Sequence, residues 1–559
     1  MEVGGSEITT LAMDHHGLIA ATCKDLKIAE RIDKLLYADD TGRNVTPGES
    51  VVAMIINGLG FTNRRLYLMP QFFENKPVEK LIAEGLTPDD ITYDTLAATL
   101  DNIWAYGESK LYGQVALDIA LDNGLLGTLN HLDTTSVSVE GNYDVPDEPG
   151  VVKLTHGHSK DHRPDLKQLL VSLVVTGDSR FPLWMEALDG NSSDKVNFHE
   201  TLSRVKVFQE QIKHHSTSKW VADSALYTKE KLAKTDDYVW LTRVPETLKD
   251  AQQLVTQSPD AIAWADRGNG YHTAAYTSQY GDVSQRWLLV QSEQGYKREM
   301  GTFEKRLAKQ EEKCGIEADK LSRQLFGCEQ DAIKALDKFA KSKRYFEISG
   351  DVNVVTKYAG KGRPKEGAEK IIKGYSIDVK VSRDNDAITK ESYKKGRFIL
   401  ATNDLNESDY PDENMLSDYK SQQDVESGFR FLKDPWFMLD SIFLKRPNRI
   451  SALMMVMTLC LMVYNVAEHR MRRKLADHEA TLPNQKGKAI SNPTLRWVFQ
   501  LMEGITLVNL QGEGDLDTSR LIITNINNIR RKIIYLFGPS ACEIYGLEIN
   551  EEIAHPLRM

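Results

Sequence analysis

The sequence has few of the features that would place a protein at a glance. It carries five cysteines in 559 residues (Cys23, Cys314, Cys328, Cys460 and Cys542), odd in number and with no C-x-x-C pair. That spacing excludes a cysteine zinc cluster and a paired disulfide framework; free thiols in a reducing cytoplasm are expected. It also lacks low-complexity tracts and any clear internal repeat, and at 41% apolar and 27% charged residues it has an ordinary globular composition. The opening MEVGGSEITT is acidic with no apolar core, so it does not read as a signal peptide. Basic charge is not in excess: the formal net charge is −10, which at first sight argues against a nucleic-acid partner.

The distribution of charge weakens that exclusion. Residues 1–126 hold 19 acidic against 10 basic side chains, nearly the whole deficit. Residues 297–373 hold 19 Lys and Arg against 13 Asp and Glu, and residues 429–475 hold 9 against 3. Only one long uncharged run exists, Ile450–Ala467, with Arg446 and Arg449 before it and Arg470, Arg472 and Arg473 after it. Its 18 residues reach the lower edge of a membrane span. Its Ser, Thr, Asn and Tyr, its methionines and the lack of a second such run predict instead a soluble protein's helix, buried on all sides and with no membrane partner.

At this length several structural units are expected. Residues 1–126 read as a helical domain: Thr46-Pro47-Gly48-Glu49 is a capping box opening Val51–Leu59, and Thr87-Pro88-Asp89-Asp90 repeats the device. Helices follow at Tyr93–Tyr106 and Ser109–Leu121, stopped by Gly107 and Gly124. From Gly127 the texture changes. Thr128–Val139, Leu169–Thr176 and Phe181–Leu188 read as antiparallel strands, and Ser218–Ala222 and Tyr238–Val244 as further strands among helices, giving an α/β layer over 127–245 with a mixed sheet. Residues 246–394 read as a β-rich insertion with a long charged helix near Arg298–Lys343, and 395–475 as the return of the α/β core with the strand Gly396–Thr402. Residues 476–559 read as helical again, including Pro493–Met502 and Leu521–Leu536.

The stretch around which this organisation turns is Tyr419–Pro435, YKSQQDVESGFRFLKDP. It reads as one amphipathic helix ended by its proline. At about 100° per residue, Tyr419, Gln422, Glu426, Arg430 and Lys433 share one stripe. A carboxylate flanked by a phenol, an amide and two cations suits a face meeting a metal ion and a phosphate chain; a solvated face with i,i+4 pairs remains the alternative. Asp133 lies mid-strand and Asp223 at a strand end, and Glu426 on a packed helix could complete a cluster of three carboxylates. Such a cluster is stable mainly when a divalent cation neutralises it, and hard oxygen donors point to Mg²⁺ or Mn²⁺ rather than Zn²⁺. His156-Gly157-His158 with Asp161-His162 is the rival metal site, set against a polar loop that could line a phosphate channel through Lys160 and Arg163. Gly362-Arg363-Pro364, inside a basic stretch, could lay Arg363 in a narrow minor groove.

Together these residues resemble the DDE transposases of prokaryotic insertion sequences, in the branch with a Y-x2-R-x3-E-x6-K signature. Tyr419, Glu426 and Lys433 match that spacing, and Gln422 stands in place of the arginine. HLDTTSVSVEGNY, HGHSKDHRPDLKQLLVSLVV, ALDGNSSD, WVADSALY, VESGFRFLKDP and VTPGESVVAMIINGLGF look like the same branch. The resemblance implies an RNase H-like catalytic core interrupted by a β-rich insertion between the second Asp and the Glu. It also implies Asp133, Asp223 and Glu426 as catalytic ligands of two Mg²⁺ ions, for which Mn²⁺ may substitute. Tyr419, Arg430 and Lys433 would contact phosphates of the element's ends, with Gln422 a weaker partner than a bidentate guanidinium. The implied activity is cleavage at the terminal inverted repeats and strand transfer into target DNA of the cut-and-paste type, by a homodimer in the synaptic complex in the prokaryotic cytoplasm. A catalytically silent DNA-binding regulator and a stand-alone nuclease of the same fold are the rival readings.

Overall fold

In the computed structural model the described residues are 2–3, 6–36, 44–61, 64–143, 148–159, 163–177, 179–192, 200–201, 203–205, 219–222, 224–233, 235, 238–359, 369–433, 444–510 and 520–548. The chain forms two compact units: Met1–Leu226 with Thr235–Trp240 and Asp418–Met559, and Tyr227–Lys234 with Leu241–Ser417.

In the first unit the uncharged run lies within helix Pro447–Asp477, opened by proline at its first turn, where a missing N–H costs nothing. Every residue from Ile450 to Val463 is buried. The helix is long and apolar enough to cross a membrane by composition alone, yet 89% of that apolar window is covered by protein. Its neighbours are helices Pro47–Gly58, Tyr93–Tyr106 and Glu108–Asn123 and strand Phe181–Leu188. The flanking arginines that suggested a basic surface are largely engaged. Arg449 grips Asp101 through two hydrogen bonds of 2.8 and 2.7 Å, Arg472 meets Glu468 at 2.8 Å, and Arg470 lies 3.8 Å from Asp25.

The helices around this core start and stop where local chemistry says they should. Thr46 accepts from the Glu49 N–H at 3.1 Å while Glu49 accepts from the Thr46 N–H at 2.8 Å. Gly48 is required for close approach, since a Cβ there would stand 2.2 Å from the Ala29 carbonyl oxygen. Helices Tyr93–Tyr106 and Glu108–Asn123 end at Gly107 and Gly124, both at positive φ. Thr87-Pro88-Asp89-Asp90 forms its capping box around a single 3₁₀ turn, Pro88–Asp90, because Ile91 leaves the helical region at once.

The sheet of this unit is mixed, as the run of strands predicts. Phe181–Leu188, Lys167–Thr176 and Leu129–Val139 run antiparallel in that order, and Lys219–Ala222 joins Leu129–Val139 in parallel. Strand Leu129–Val139 is therefore hydrogen-bonded along both edges, which fixes its register firmly.

The terminal regions are not wholly helical. Glu2–Val3 and Ser6–Ala12 form a four-stranded antiparallel sheet with Thr506–Leu510 and Arg520–Thr524. The expected helix Leu521–Leu536 is accordingly a strand to Thr524 and a helix only from Asn528, where Asn527 caps it. The β-branched Ile522, Ile523 and Thr524 override the helical spacing once Thr506–Leu510 is present as a partner strand.

The second unit holds antiparallel strands in the order Val239–Arg243, Arg397–Thr402, Val283–Ser292, Tyr271–Tyr280 and Ala265–Asp266, the pairing of the first involving Leu241 to Arg243. The buried Arg286 is neutralised by Asp412 at 3.1 Å. The long charged helix is two helices, Glu293–Ser322 and Glu329–Lys341, that cover one face of a two-stranded ribbon, Phe346–Tyr358 with Lys370–Arg383. The chain turns between them because the Phe326 backbone pairs with Tyr375 of the ribbon. Gly350 and Asp351 lie inside the first strand of the ribbon. Glycine is needed there, a Cβ standing 2.7 Å from the Asp378 carbonyl oxygen.

Three buried histidines of the first unit make it sensitive to acid. Burial holds His15 and His131 down to about 4, and burial with the neighbouring His15 and Lys76 charges holds His16 well below its usual value. An unfolded histidine binds a proton near 6.5, so the neutral folded form is favoured at neutral pH and that advantage is lost as pH falls from 6.5 towards 4. For His15 and for His131 the cost once protonated in both states is roughly 3 kcal/mol each. Thermal melts between pH 7.5 and 4.5 should show a steep fall in Tm below about 6, shallower in His15→Phe, which stacks between His16 and Phe499 without a titrating nitrogen. An unchanged slope would remove His15 from the account.

Candidate active site

Asp133 is the fifth residue of strand Leu129–Val139, half-exposed, with its Oδ1 accepting from the Thr134 N–H at 2.7 Å. In the sheet it lies opposite Leu173. The parallel neighbour Lys219–Ala222 pairs Val221 with His131 and ends at the residue before Asp223. Asp223 itself lies outside the described residues, as do Lys160, Asp161, His162 and Arg363.

Glu426 is exposed on helix Gln423–Leu432, which packs on strand Leu129–Val139 in the same unit. The structure thus brings the element bearing Asp133 against the element bearing Glu426. Among the described residues no three His, Cys, Asp or Glu side chains converge on a metal-binding point, a set that does not include Asp223.

Tyr419–Pro435 is not one helix. Helix Asp412–Lys420 carries Tyr419 and ends, two residues turn, and helix Gln423–Leu432 begins. The turn is held by Ser421, whose hydroxyl donates to the Asp418 carbonyl at 2.7 Å and lies 3.0 Å from His131 Nε2. Gln422 occupies the N-cap, Arg430 is exposed in the last turn, and Lys433 is the C-cap residue with its N–H bonded to Phe429. The stripe from Gln422 to Lys433 survives; Tyr419 belongs to the preceding element.

Two further features fix the Glu426 helix against the core. Phe431 packs on Tyr464 with ring centroids 4.9 Å apart. Gly428, costly inside a helix, permits close approach to helix Pro447–Asp477, since a Cβ there would lie 3.2 Å from Leu461 Cδ2.

The rival histidine site takes a different form from an H-x-H strand. His156 and His158 are both exposed in irregular chain, next to the single bridge Thr155–Gln168. Gly157 is pinned against Gly190, whose carbonyl oxygen would lie 2.1 Å from a Cβ and accepts from Gln168 Nε2 at 2.7 Å. Arg163 is exposed and chelates Asp165 through bonds of 3.0 and 2.8 Å, which raises its affinity for the proton. His131 and Ser421 were not singled out from sequence. The available signal was position: His131 is two residues before Asp133 and so on the same face of its strand.

The strand of Asp133 and the helix of Glu426 thus pack together in one unit built on a mixed sheet. The comparisons name the family. Residues 130–463, more than half of the chain, match the model described as transposase DDE domain, and residues 8–117 match a domain of unknown function, DUF4277. The chain belongs to the DDE transposase family, whose members cut and join DNA and generally use divalent metal ions. No protein of curated function matches it. Among solved structures it is similar to the piggyBac transposase synaptic complex with hairpin DNA, at 9% identity and a TM-score of 0.37, over 89% of this chain and 83% of that one.

The packing at Gly428 can be tested directly. Gly428→Val should lower stability by about 1–3 kcal/mol in a denaturant titration, because Leu461 sits in a filled core and must shift. A neutral substitution would show that the Glu426 helix does not rest closely on the core helix.

Proposed function

We propose that this transposase cleaves DNA at the ends of its own insertion sequence and transfers those ends to target DNA, with Asp133, Asp223 and Glu426 as the catalytic carboxylates. The observation that supports this reading is the packing of the Glu426 helix on the Asp133 strand, whose parallel neighbour ends one residue before Asp223. All three donors are hard oxygens, the type that suits Mg²⁺ or Mn²⁺, and Glu426 is exposed and able to turn towards a ligand.

The three carboxylates would hold the metal, which when bound supplies positive charge to ionise an attacking hydroxyl and to offset charge on the phosphate. Water first attacks the scissile phosphorus: a new P–O bond forms, and the 3′ oxygen leaves and takes up a proton. That 3′-hydroxyl then attacks a target phosphodiester in the same way, so no covalent bond to the protein is needed. Arg430 and Lys433, one and two turns beyond Glu426, are placed to hold flanking phosphates. Gln422 donates from a neutral amide and orients without supplying charge. Lys160, Arg163 and Arg363 belong to the same proposed DNA surface, and Arg163 must exchange Asp165 for phosphate to take part. Tyr419 contributes from the preceding helix. A homodimer would bring two ends together.

Asp133→Ala and Glu426→Ala should each reduce Mg²⁺-dependent cleavage of the element's ends by more than the roughly 10- to 100-fold that outer partners of a metal ligand command, while leaving end binding intact. Substantial strand cleavage by purified Asp133→Ala would refute the assignment. A pre-cut end distinguishes a transposase from a plain nuclease, since only the former joins it to a second duplex.

Binding should weaken steeply with salt. Arg430→Ala should reduce the slope of log affinity against log salt by about one unit, as the loss of one phosphate contact requires. Fluorescence anisotropy across a salt series reads this slope, and an unchanged slope would take Arg430 off the DNA.

A further inference from the structure

His131 stands where the elements of the proposed site meet. Along one edge of its strand its backbone lies opposite Val175, and along the other opposite Val221, two residues before Asp223. Its side chain reaches the third element, with Nε2 at 3.0 Å from Ser421 Oγ in the turn that launches the Glu426 helix. His131 is 5% exposed and, with Asp133, points to one face of the sheet.

The direction of these bonds can be worked out. The Ser421 hydroxyl has one proton, directed at the Asp418 carbonyl at 2.7 Å. Its oxygen therefore accepts from His131, which must carry its proton on Nε2. The chain His131 Nε2–H to Ser421 Oγ–H to Asp418 carbonyl spans strand, turn and the end of the preceding helix. It also explains why two helices occur where the sequence pattern suggests one: the serine back-bond closes the first, and the histidine sets the start of the second.

We propose that His131 is a positioning residue for the transposition chemistry, acting through Ser421 to fix the Glu426 helix against the Asp133 strand. This rests on the catalytic assignment above. A carboxylate pair sharing a cation tolerates little slack, and a hydrogen bond fixes direction where apolar packing resists sliding only weakly. This directional contact between strand and turn sets their relative position. The imidazole takes no part in proton transfer and touches no substrate.

The test uses the full-length protein, the element's own end as substrate, and Mg²⁺ as the varied component. Rates are normalised to the active fraction from stoichiometric end binding. His131→Leu and Ser421→Ala should each raise the Mg²⁺ concentration for half-maximal cleavage by about tenfold, the effect expected when a partner that orients a metal ligand is lost. His131→Gln, whose amide N–H reaches about as far as Nε2, should restore most of that loss. The double variant His131→Leu/Ser421→Ala should be no worse than either single one, because both break the same link. A merely structural histidine would lower Tm and the active fraction while leaving the Mg²⁺ dependence of the surviving molecules at the wild-type value, and that result would overturn the proposal. Failure of the catalytic assignment shows separately, as wild-type cleavage that persists in Asp133→Ala.

Discussion

Helix Pro447–Asp477 has almost no face to give to water. Over the stretch Ile450–Val463 an unbroken series of buried side chains must be covered on every side, and no single element can do that. Helices from the first 123 residues cover part of it, strand Phe181–Leu188 covers another, and the Glu426 helix lies on a third. The transposase core therefore does not close without the N-terminal helices. That gives the region matched to a domain of unknown function a physical role whatever else it does: it supplies walls for the helix against which the Glu426 helix packs.

The same arrangement resolves the charge pattern. An acidic front and a basic rear look in sequence like two surfaces of opposite character. In the fold some of those charges neutralise one another, with Asp101 engaging Arg449, Asp25 close to Arg470, and Glu543 bonded to Lys24 at 2.8 Å. Arg449 and Asp101 are 348 positions apart and partly buried, so their attraction is less screened than a surface pair's. Net charge and regional counts are thus poor guides to a DNA surface here. Arg430, exposed on the Glu426 helix, says more than the sum around it.

What could be read from sequence was whatever a few neighbouring residues determine. The Thr46 capping box, the stops at Gly107 and Gly124, and the antiparallel strands before and after Gly177 are decided within four or five positions, and they occur where those residues place them. What could not be read depends on distant partners. Ser6–Ala12 becomes a strand by pairing with Thr506–Leu510, and Leu521–Thr524 leaves its helical pattern for the same sheet. Gly350 serves a close strand contact, and Arg323–Cys328 interrupts a charged helix because the Phe326 backbone finds Tyr375. At the site, Asp133 and Glu426 stood out as acids on a strand and a helix, whereas His131 had no visible function until Ser421 was beside it.

The break at Ser421 shows why that last kind of information matters most for function. A continuous helix from Asp412 to Leu432 would carry Glu426 and Arg430 to the side on which Met415 and Leu416 are buried. It would also tie the direction of the Glu426 segment to that of the preceding helix. Ending the first helix at Lys420 frees the second to take its orientation from what it touches: His131 at its start, Leu461 beneath Gly428, and Tyr464 against Phe431. Three contacts of different chemistry, one directional and two steric, determine where a helix lies far better than the helix before it could. A local loss of two helical residues is the physical condition for placing a carboxylate by its tertiary surroundings, and a stripe read only from Tyr419 onward does not register it.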